Sequence, residues 1–202
     1  MIKRLLPLFM LLAFLTGCAN AVRTDLSERY AANSPRTVAV VPVFWQADAE
    51  NKEVGYTFRM MTVEKLKDLN YRVVPPAAVD DTYIKLGSSS MAGKSPAELA
   101  GLLNADAVLF IKIKTWNIDR FVTYASLKVE AAYELYSATG ERLWQAEYAT
   151  KDADLRLDRK SMEYAIIKAY EPKVQRFVDA IFSTLPQAQA QTNARSFFQW
   201  LP

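Results

Sequence analysis

The chain has 202 residues, enough for one domain with terminal extensions, and 51% of them are hydrophobic, so we expect a folded core. Its 25 Lys and Arg residues nearly balance its 22 Asp and Glu residues, which does not indicate a nucleic-acid partner. A single cysteine and the absence of histidine exclude an internal disulfide, the His-dependent nucleophile pairs and most zinc sites. We therefore expect no enzymatic activity, no metal site and no cofactor.

The first eighteen residues predict export and lipid attachment. Lys3 and Arg4 precede an apolar run, Leu5 to Leu15, that is too short to span the ~30 Å hydrocarbon core of a bilayer. The following "LTGC" resembles the bacterial lipobox, which implies cleavage before Cys18 and addition of diacylglycerol and an N-acyl chain to it. Several acyl chains anchor stably, because each buried CH₂ contributes about 0.8 kcal/mol. We predict a signal peptide over residues 1–17 and lipid attachment at Cys18; a plain signal peptide with a coincidental cysteine is the alternative.

The residues after the cysteine bear on location. Ala19-Asn20 places no Asp directly after Cys18, and by the sorting rule of enteric lipoproteins this favours the outer membrane, facing the periplasm. The periplasmic face of the inner membrane is the alternative. We predict a lipid-anchored tether over residues 18–35, in which Ala19 to Ser34 carries mixed polar residues and Ala and reaches about 55 Å when fully extended.

The pattern over residues 36–186 predicts one α/β domain with a mixed sheet of about five strands flanked by helices. The predicted strands are Thr37 to Val41, Tyr71 to Val74, Ala107 to Trp116, Ala125 to Tyr136 and Glu141 to Tyr148. The predicted helices run from Lys52 to Leu69, through Val79 to Gly87, from Ser95 to Asn104, from Ser161 to Tyr170 and from Pro172 onward. The Lys and Glu residues that alternate along the strands are expected on a solvated or edge face.

Two helix ends have specific signals. Asn70 is expected to stop the first long helix in a left-handed conformation. "SPAE" predicts a capping box, with Ser95 as N-cap, Pro96 in the first turn and Glu98 closing the box.

Candidate chemistry is sparse. Gly87 to Ser95 resembles a phosphate loop only faintly, because its second glycine lies one residue too far along and no strand directly precedes it. The adjacent carboxylates Asp80 and Asp81 are best explained by a helix start. Residues 187–202 form a polar linker and an apolar tail, "SFFQWLP", which either folds back on the domain or docks on a partner or the membrane. Phe197, Phe198 and Trp200 are its candidate partner-binding residues.

Four stretches carry a resemblance to a known family. They are "RTVAVVPVF", "YRVVPPAAVDDTY", "LLNADAVLFIKIKTW" and "YELYSATGERLWQAE", which together extend from Arg36 to Glu147. With the lipobox, they resemble the bacterial lipoprotein family of the genome-derived neisserial antigen, which has no assigned biochemical activity. The resemblance implies a fold like the N-terminal domain of TolB. It also implies a homo-oligomeric scaffold that works with other envelope lipoproteins or transport components.

The sequence is therefore compatible with two classes of function. The first is a lipid-anchored, non-catalytic scaffold or adaptor that binds envelope proteins or itself. The second is a small-ligand-binding domain, or an enzyme, with a site at the carboxyl ends of the strands. Phe44-Trp45, the helix with Asp80-Asp81 and the loop Gly87 to Ser95 are the segments that would line such a site.

Overall fold

The structure, a computed structural model, describes residues 21–47, 50–87, 93–120, 125–155 and 165–188. These ranges contain seven strands and five helices. The strands are β1 (Arg23–Leu26), β2 (Thr37–Val40), β3 (Phe44–Trp45), β4 (Arg72–Val73), β5 (Ala107–Arg120), β6 (Ala125–Ser137) and β7 (Arg142–Leu155). The helices are α1 (Tyr30–Asn33), α2 (Lys52–Asp68), α3 (Pro76–Leu86), α4 (Pro96–Leu103) and α5 (Ala165–Phe182).

All seven strands belong to one mixed sheet, which confirms the predicted α/β class. The strand order is β1-β7-β6-β5-β2-β4, and β3 pairs with β5 further along, beyond the end of β2. The strands β4, β2, β5 and β3 are mutually parallel, whereas β5, β6, β7 and β1 pair antiparallel. Parallel pairing follows from the helical crossovers, and the antiparallel pairing of β6 with β7 follows from the tight turn before Gly140, whose φ of 83° suits glycine.

One face of the sheet carries the larger core, under α2 and α5. Alternate residues of β6, from Leu127 to Leu135, point into this core as the sequence predicts. Phe58 of α2 stacks edge-on against Phe177 of α5, with ring centroids 5.6 Å apart. Trp144 is fully buried and donates from Nε1 to Thr184 Oγ1 over 3.1 Å. The strand tryptophans therefore serve packing, as Trp45 and Trp116 also lie against this core.

The opposite face is covered only in part. α3 and α4 pack there on β2 and the start of β5 through a smaller core that includes Val41, Val79 and Leu99. Farther along β5, β6 and β7, this face carries charged side chains. Lys114 and Glu147, for example, pair across it at 2.8 Å. The face that the sequence analysis assigned to solvent therefore carries half-buried ion pairs at its centre. They form because side chains of opposite charge on neighbouring strands lie close together there.

The domain begins earlier than the tether predicted over residues 18–35. Arg23–Leu26 forms β1 on the outer edge of β7, and Tyr30 of α1 is buried. The Tyr30 hydroxyl hydrogen-bonds that of Tyr71, which in turn donates to the Pro186 carbonyl at 2.6 Å. Burial raises the pKa of both phenols, so both stay neutral. Residues 23–34 are therefore part of the fold, and this correction shortens the tether to the residues before β1.

The predicted helix break at Pro172 is also wrong. Pro172 lies inside α5, which continues from Ala165 to Phe182. Pro172 itself is exposed, so the hydrogen bond that it cannot make is lost on the water side of the helix. The apolar stripe that includes Val174, Phe177 and Ile181 packs on the sheet, and this burial holds the helix through the proline.

Candidate functional site

A cleft of about 770 Å³ opens on the partly covered face of the sheet. Pro42, which has no N–H to donate, ends β2, and the chain moves sideways before pairing again with β5 at Phe44. This shifted segment forms one wall of the cleft. The second half of α3 and the start of α4 form two more walls, and β5 and β6 form the floor.

The apolar part of the cleft is partly open to solvent. Val41 and Leu99 are buried at its base, and Phe110 lies half-buried beside them. At the rim, Phe44 is 59% exposed and Ile84 is 77% exposed. Large apolar side chains that cluster around a concavity are typical of a binding surface.

A charged group lies in the floor. Lys112 Nζ of β5 donates to Glu134 Oε2 of β6 over 2.8 Å, and the Tyr136 hydroxyl donates to the same oxygen over 3.1 Å. The Glu134 side chain is only 13% exposed. Burial, followed by the neighbouring Glu134 carboxylate, raises the pKa of Tyr136. Tyr136 and Lys112 therefore both act as donors to one carboxylate at neutral pH.

A second charged group fixes the wall formed by α3. Arg59 of α2 is 5% exposed, and its Nε and Nη2 donate to the Val40 carbonyl at the end of β2 over 3.1 and 3.0 Å. Its Nη1 donates to Asp80 Oδ1 of α3 over 2.6 Å. Burial raises the pKa of the adjacent Tyr83 to about 12. One guanidinium thus ties α2, β2 and α3 together beside the cleft.

The capping box fixes the start of α4, which forms one wall of the cleft. Ser95 Oγ accepts from the Glu98 backbone N–H over 3.3 Å, and Glu98 Oε2 accepts from the Ser95 N–H over 2.7 Å, as the sequence predicts. The backbone hydrogen bond from Ser95 lowers the pKa of Glu98. Lys94, just before the cap, lines the cleft with its Nζ 4.0 Å from Glu98 Oε1.

The arrangement suits binding, since each charged side chain that lines the cleft has an ionic partner. A nucleophile activated by a base does not appear among the residues that line it. Across the described ranges, no group of three or more His, Cys, Asp and Glu side chains is placed to hold a metal ion.

The structure brings together part of the ligand site predicted from the sequence. Phe44, Asp80 and Lys94 line the cleft, whereas Trp45 lines a neighbouring groove and Asp81 is exposed on α3. Residues 88–92 of the predicted loop lie outside the described ranges. The floor formed by β5 and β6 was not predicted; its signal is the outward Lys and Glu alternation, which was assigned to solvent.

Cys18 and the tail residues Phe197, Phe198 and Trp200 lie outside the described residues, so their predicted roles stay predictions. The structure nevertheless gives the position of Arg23, five residues after Cys18 in the sequence. Arg23 pairs with Glu147, Glu147 with Ala132, Ala132 with Lys112, and Lys112 with Phe44. Residues paired in such a row share a face of the sheet, so Arg23 lies on the face that bears the cleft.

None of the helices in the described ranges has the length and apolar content needed to cross a membrane.

Known proteins resemble this chain in sequence and in fold. A family described as "Putative lipoprotein GNA1162-like" matches residues 24–197, a span that begins within β1. The crystal structure of lipoprotein GNA1162 from Neisseria meningitidis aligns with a TM-score of 0.52 at 17% identity, over 72% of this chain and 99% of that one. The PelC dodecamer from Paraburkholderia phytofirmans aligns with a TM-score of 0.51 at 16% identity, over 85% and 99% respectively.

No curated protein matches the chain. At these identities the two solved structures support the fold alone, whereas the family match covers most of the sequence. The chain belongs to the GNA1162-like lipoprotein family.

Proposed function

We propose that this protein is a non-catalytic scaffold, anchored by lipid on Cys18 to the periplasmic face of the outer membrane, that self-associates and binds other envelope components. One observation carries the proposal: the sheet begins at Arg23, five residues after Cys18, with a strand whose outer edge is paired with no other strand of the described ranges. Five residues reach at most about 17 Å, so the domain would work at the membrane surface. The lipobox and the lipoprotein family support the anchor.

The open edge of β1 supports self-association. The Ser27 N–H donates to the Leu143 carbonyl of β7, and backbone N–H groups alternate in direction along a strand. The N–H groups of Thr24 and Leu26 therefore point away from β7, where a strand of another copy can pair. The fold is compatible with a homo-oligomer, since the structural neighbour PelC is described as a dodecamer.

The test is the oligomeric state of the lipidated protein in detergent, measured by light scattering, together with crosslinking in cells. Wild type is expected to form an oligomer and to capture envelope proteins. Thr24→Pro removes one outward N–H and no backbone hydrogen bond of the β1–β7 ladder, so we expect a monomer that is still folded. Thr24→Pro and Thr24→Ala both lose the hydrogen bond from Thr24 Oγ1 to the Gln145 carbonyl. Thr24→Ala, which keeps the N–H, is the matched control. A monomeric wild type that captures no partner would end the scaffold proposal.

Membrane attachment is tested separately with Cys18→Ser. Wild type is expected in the outer-membrane fraction, with processing blocked by globomycin, and the variant in the soluble periplasmic fraction. Ala19→Asp is the matched change for sorting, and in an enteric host we expect it to move the protein to the inner membrane. A wild type that is fully soluble contradicts the anchor.

The ligand-binding alternative has one observation in its favour. The cleft beside Phe44 has a volume within the roughly 300–1,000 Å³ of small-molecule sites. A scaffold with a ligand site is compatible with the proposal above, and the chemistry of that site is argued next.

A further inference from the structure

The lining of the cleft selects for apolar ligands. Its base of Val41, Leu99 and Phe110 offers no charged group, and its rim exposes Phe44 and Ile84 to water. Leaving these side chains in water is unfavourable, because each one buried contributes about 1.5–3 kcal/mol. A ligand that fills the cleft would therefore gain mainly by covering apolar surface.

The charged groups of the cleft argue against an anionic ligand. Lys112 is bound to Glu134, and Asp80 is bound to Arg59. Lys94 lies 4.0 Å from Glu98. A phosphate or carboxylate would have to displace a carboxylate that is already in place, and this exchange gains little. The preferred ligand is one whose buried part is uncharged.

The position of the anchor indicates the source of such a ligand. Lys112 lies three strands from Arg23 in one row, about 14 Å away, and on the same face of the sheet. Cys18 lies within about 17 Å of Arg23, because it is the fifth residue before Arg23 in the chain. If Cys18 carries the lipid anchor, as proposed above, Lys112 on the floor of the cleft lies within about 31 Å of it, so the cleft stays close to the bilayer. The apolar molecules available there are membrane lipids.

We propose that this cleft binds an acyl chain of a phospholipid from the membrane that holds the anchor. The chain enters past Phe44 and Ile84 and covers the base formed by Val41, Leu99 and Phe110. The Lys112–Glu134–Tyr136 group bounds the site on the sheet side, and the polar headgroup stays hydrated outside the rim. This inference rests on the proposed lipid anchor for the source of the ligand, and it adds a lipid-binding site to the scaffold.

The experiment uses the mature chain with Cys18→Ser, which carries no lipid of its own. It is exposed to vesicles of phosphatidylethanolamine and phosphatidylglycerol that contain a phospholipid with a photoreactive acyl chain. We expect saturable labelling of the cleft, mapped by mass spectrometry. The double variant Phe44→Ser, Ile84→Ser is expected to weaken labelling about tenfold or more, because it removes two apolar contacts.

The control is Leu102→Ser. Leu102 is 45% exposed on α4 and does not line the cleft, so labelling should be unchanged. All three positions are exposed, and circular dichroism checks that each variant is folded. The proposal is overturned if labelling is not saturable. It is also overturned if the double variant Phe44→Ser, Ile84→Ser is labelled as strongly as wild type.

Two further results would assign the cleft to another occupant and would also overturn it. The first is labelling of the Cys18→Ser protein but not of the lipidated wild type, which means that the anchor's own acyl chains fill the cleft. The second is a photoreactive amino acid at position 84 that crosslinks in cells to a protein and not to lipid. Because labelling is measured without the anchor, its failure is distinct from a failure of Cys18-dependent membrane attachment.

Discussion

Arg59 shows how a single residue organises the domain. Its guanidinium makes three hydrogen bonds, two to the Val40 carbonyl and one to Asp80, while the side chain is almost fully buried. The pattern of α2 predicts its apolar stripe, but not a buried arginine beside Phe58. The partners of Arg59 come from β2 and α3, which are distant in sequence, so the helix alone carries no signal for them.

Arg59→Met keeps much of the side-chain volume and removes the donors. The Val40 carbonyl then has two fewer donors, and Asp80 loses its ion pair. We expect the free energy of unfolding to fall by about 3 kcal/mol, measured by urea denaturation. Arg72→Met, at an exposed position of β4, is the control and should stay within about 0.5 kcal/mol of wild type. Equal stability of the two variants would show that the buried guanidinium is not structurally important.

At the scale of elements, the start of α4 offers a direct test. Ser95→Ala removes the side-chain half of the capping box, and we expect a loss of about 1 kcal/mol in thermal or urea unfolding. Ser183→Ala, at an exposed serine after α5, should have a smaller effect. A Ser95→Ala protein as stable as wild type would contradict the role of the cap.

The capping box also predicts a pH dependence. Hydrogen bonds from the Ser95 N–H and then from the Ser95 hydroxyl lower the pKa of Glu98 below its ordinary value, and Ser95→Ala loses the second of these bonds. A lowered folded-state pKa stabilises the fold above the unfolded-state pKa, and this contribution is lost as the pH falls through the folded-state value. Wild type and Ser95→Ala should therefore become more alike in acid. A gap that widens in acid would contradict this linkage.

Elements with a strong local pattern could be predicted from the sequence, and those held by distant contacts could not. β5 and β6 alternate, and α4 has its cap, so their predicted positions are close to those observed. The four residues of β1 are all exposed and show no alternation, since the strand is defined only by its pairing with β7. Pro172 predicts a break, but packing on the sheet overrides it.

β1 and α1 are expected to stabilise the domain. A chain that starts at Arg36, the boundary predicted from the sequence, loses the β1–β7 ladder and the buried Tyr30. We expect it to be about 2–4 kcal/mol less stable than a chain that starts at Ala21, measured by urea unfolding of both. Equal stability of the two chains would show that residues 23–34 do not stabilise the fold and act as part of the tether.

At the scale of the whole molecule, the site was predictable only in outline. The carboxyl end of β2 indicates a site near Phe44, and the structure places a cleft there. Its floor depends on Lys112 and Glu134, which meet only because β5 and β6 pair in one register. Short-range sequence patterns do not show which residues of two strands lie side by side. For this reason the sequence analysis assigned Lys112 and Glu134 to solvent.

The early start of the sheet changes where the protein can act. With residues 18–35 as a tether, the domain would range about 55 Å from its membrane. With β1 beginning at Arg23, this distance falls to about 17 Å, which keeps the sheet near the lipid surface. Both the scaffold and the acyl-chain site depend on this geometry, and therefore on the covalent state of Cys18.

The mass of the intact mature protein, purified from membranes, is the most direct test of this account. We predict a chain that begins at Cys18 and carries diacylglycerol and one N-acyl chain, with the modified N-terminal peptide identified by fragmentation. A mature chain that begins at another residue, or an unmodified Cys18 in membrane-derived protein, would contradict it.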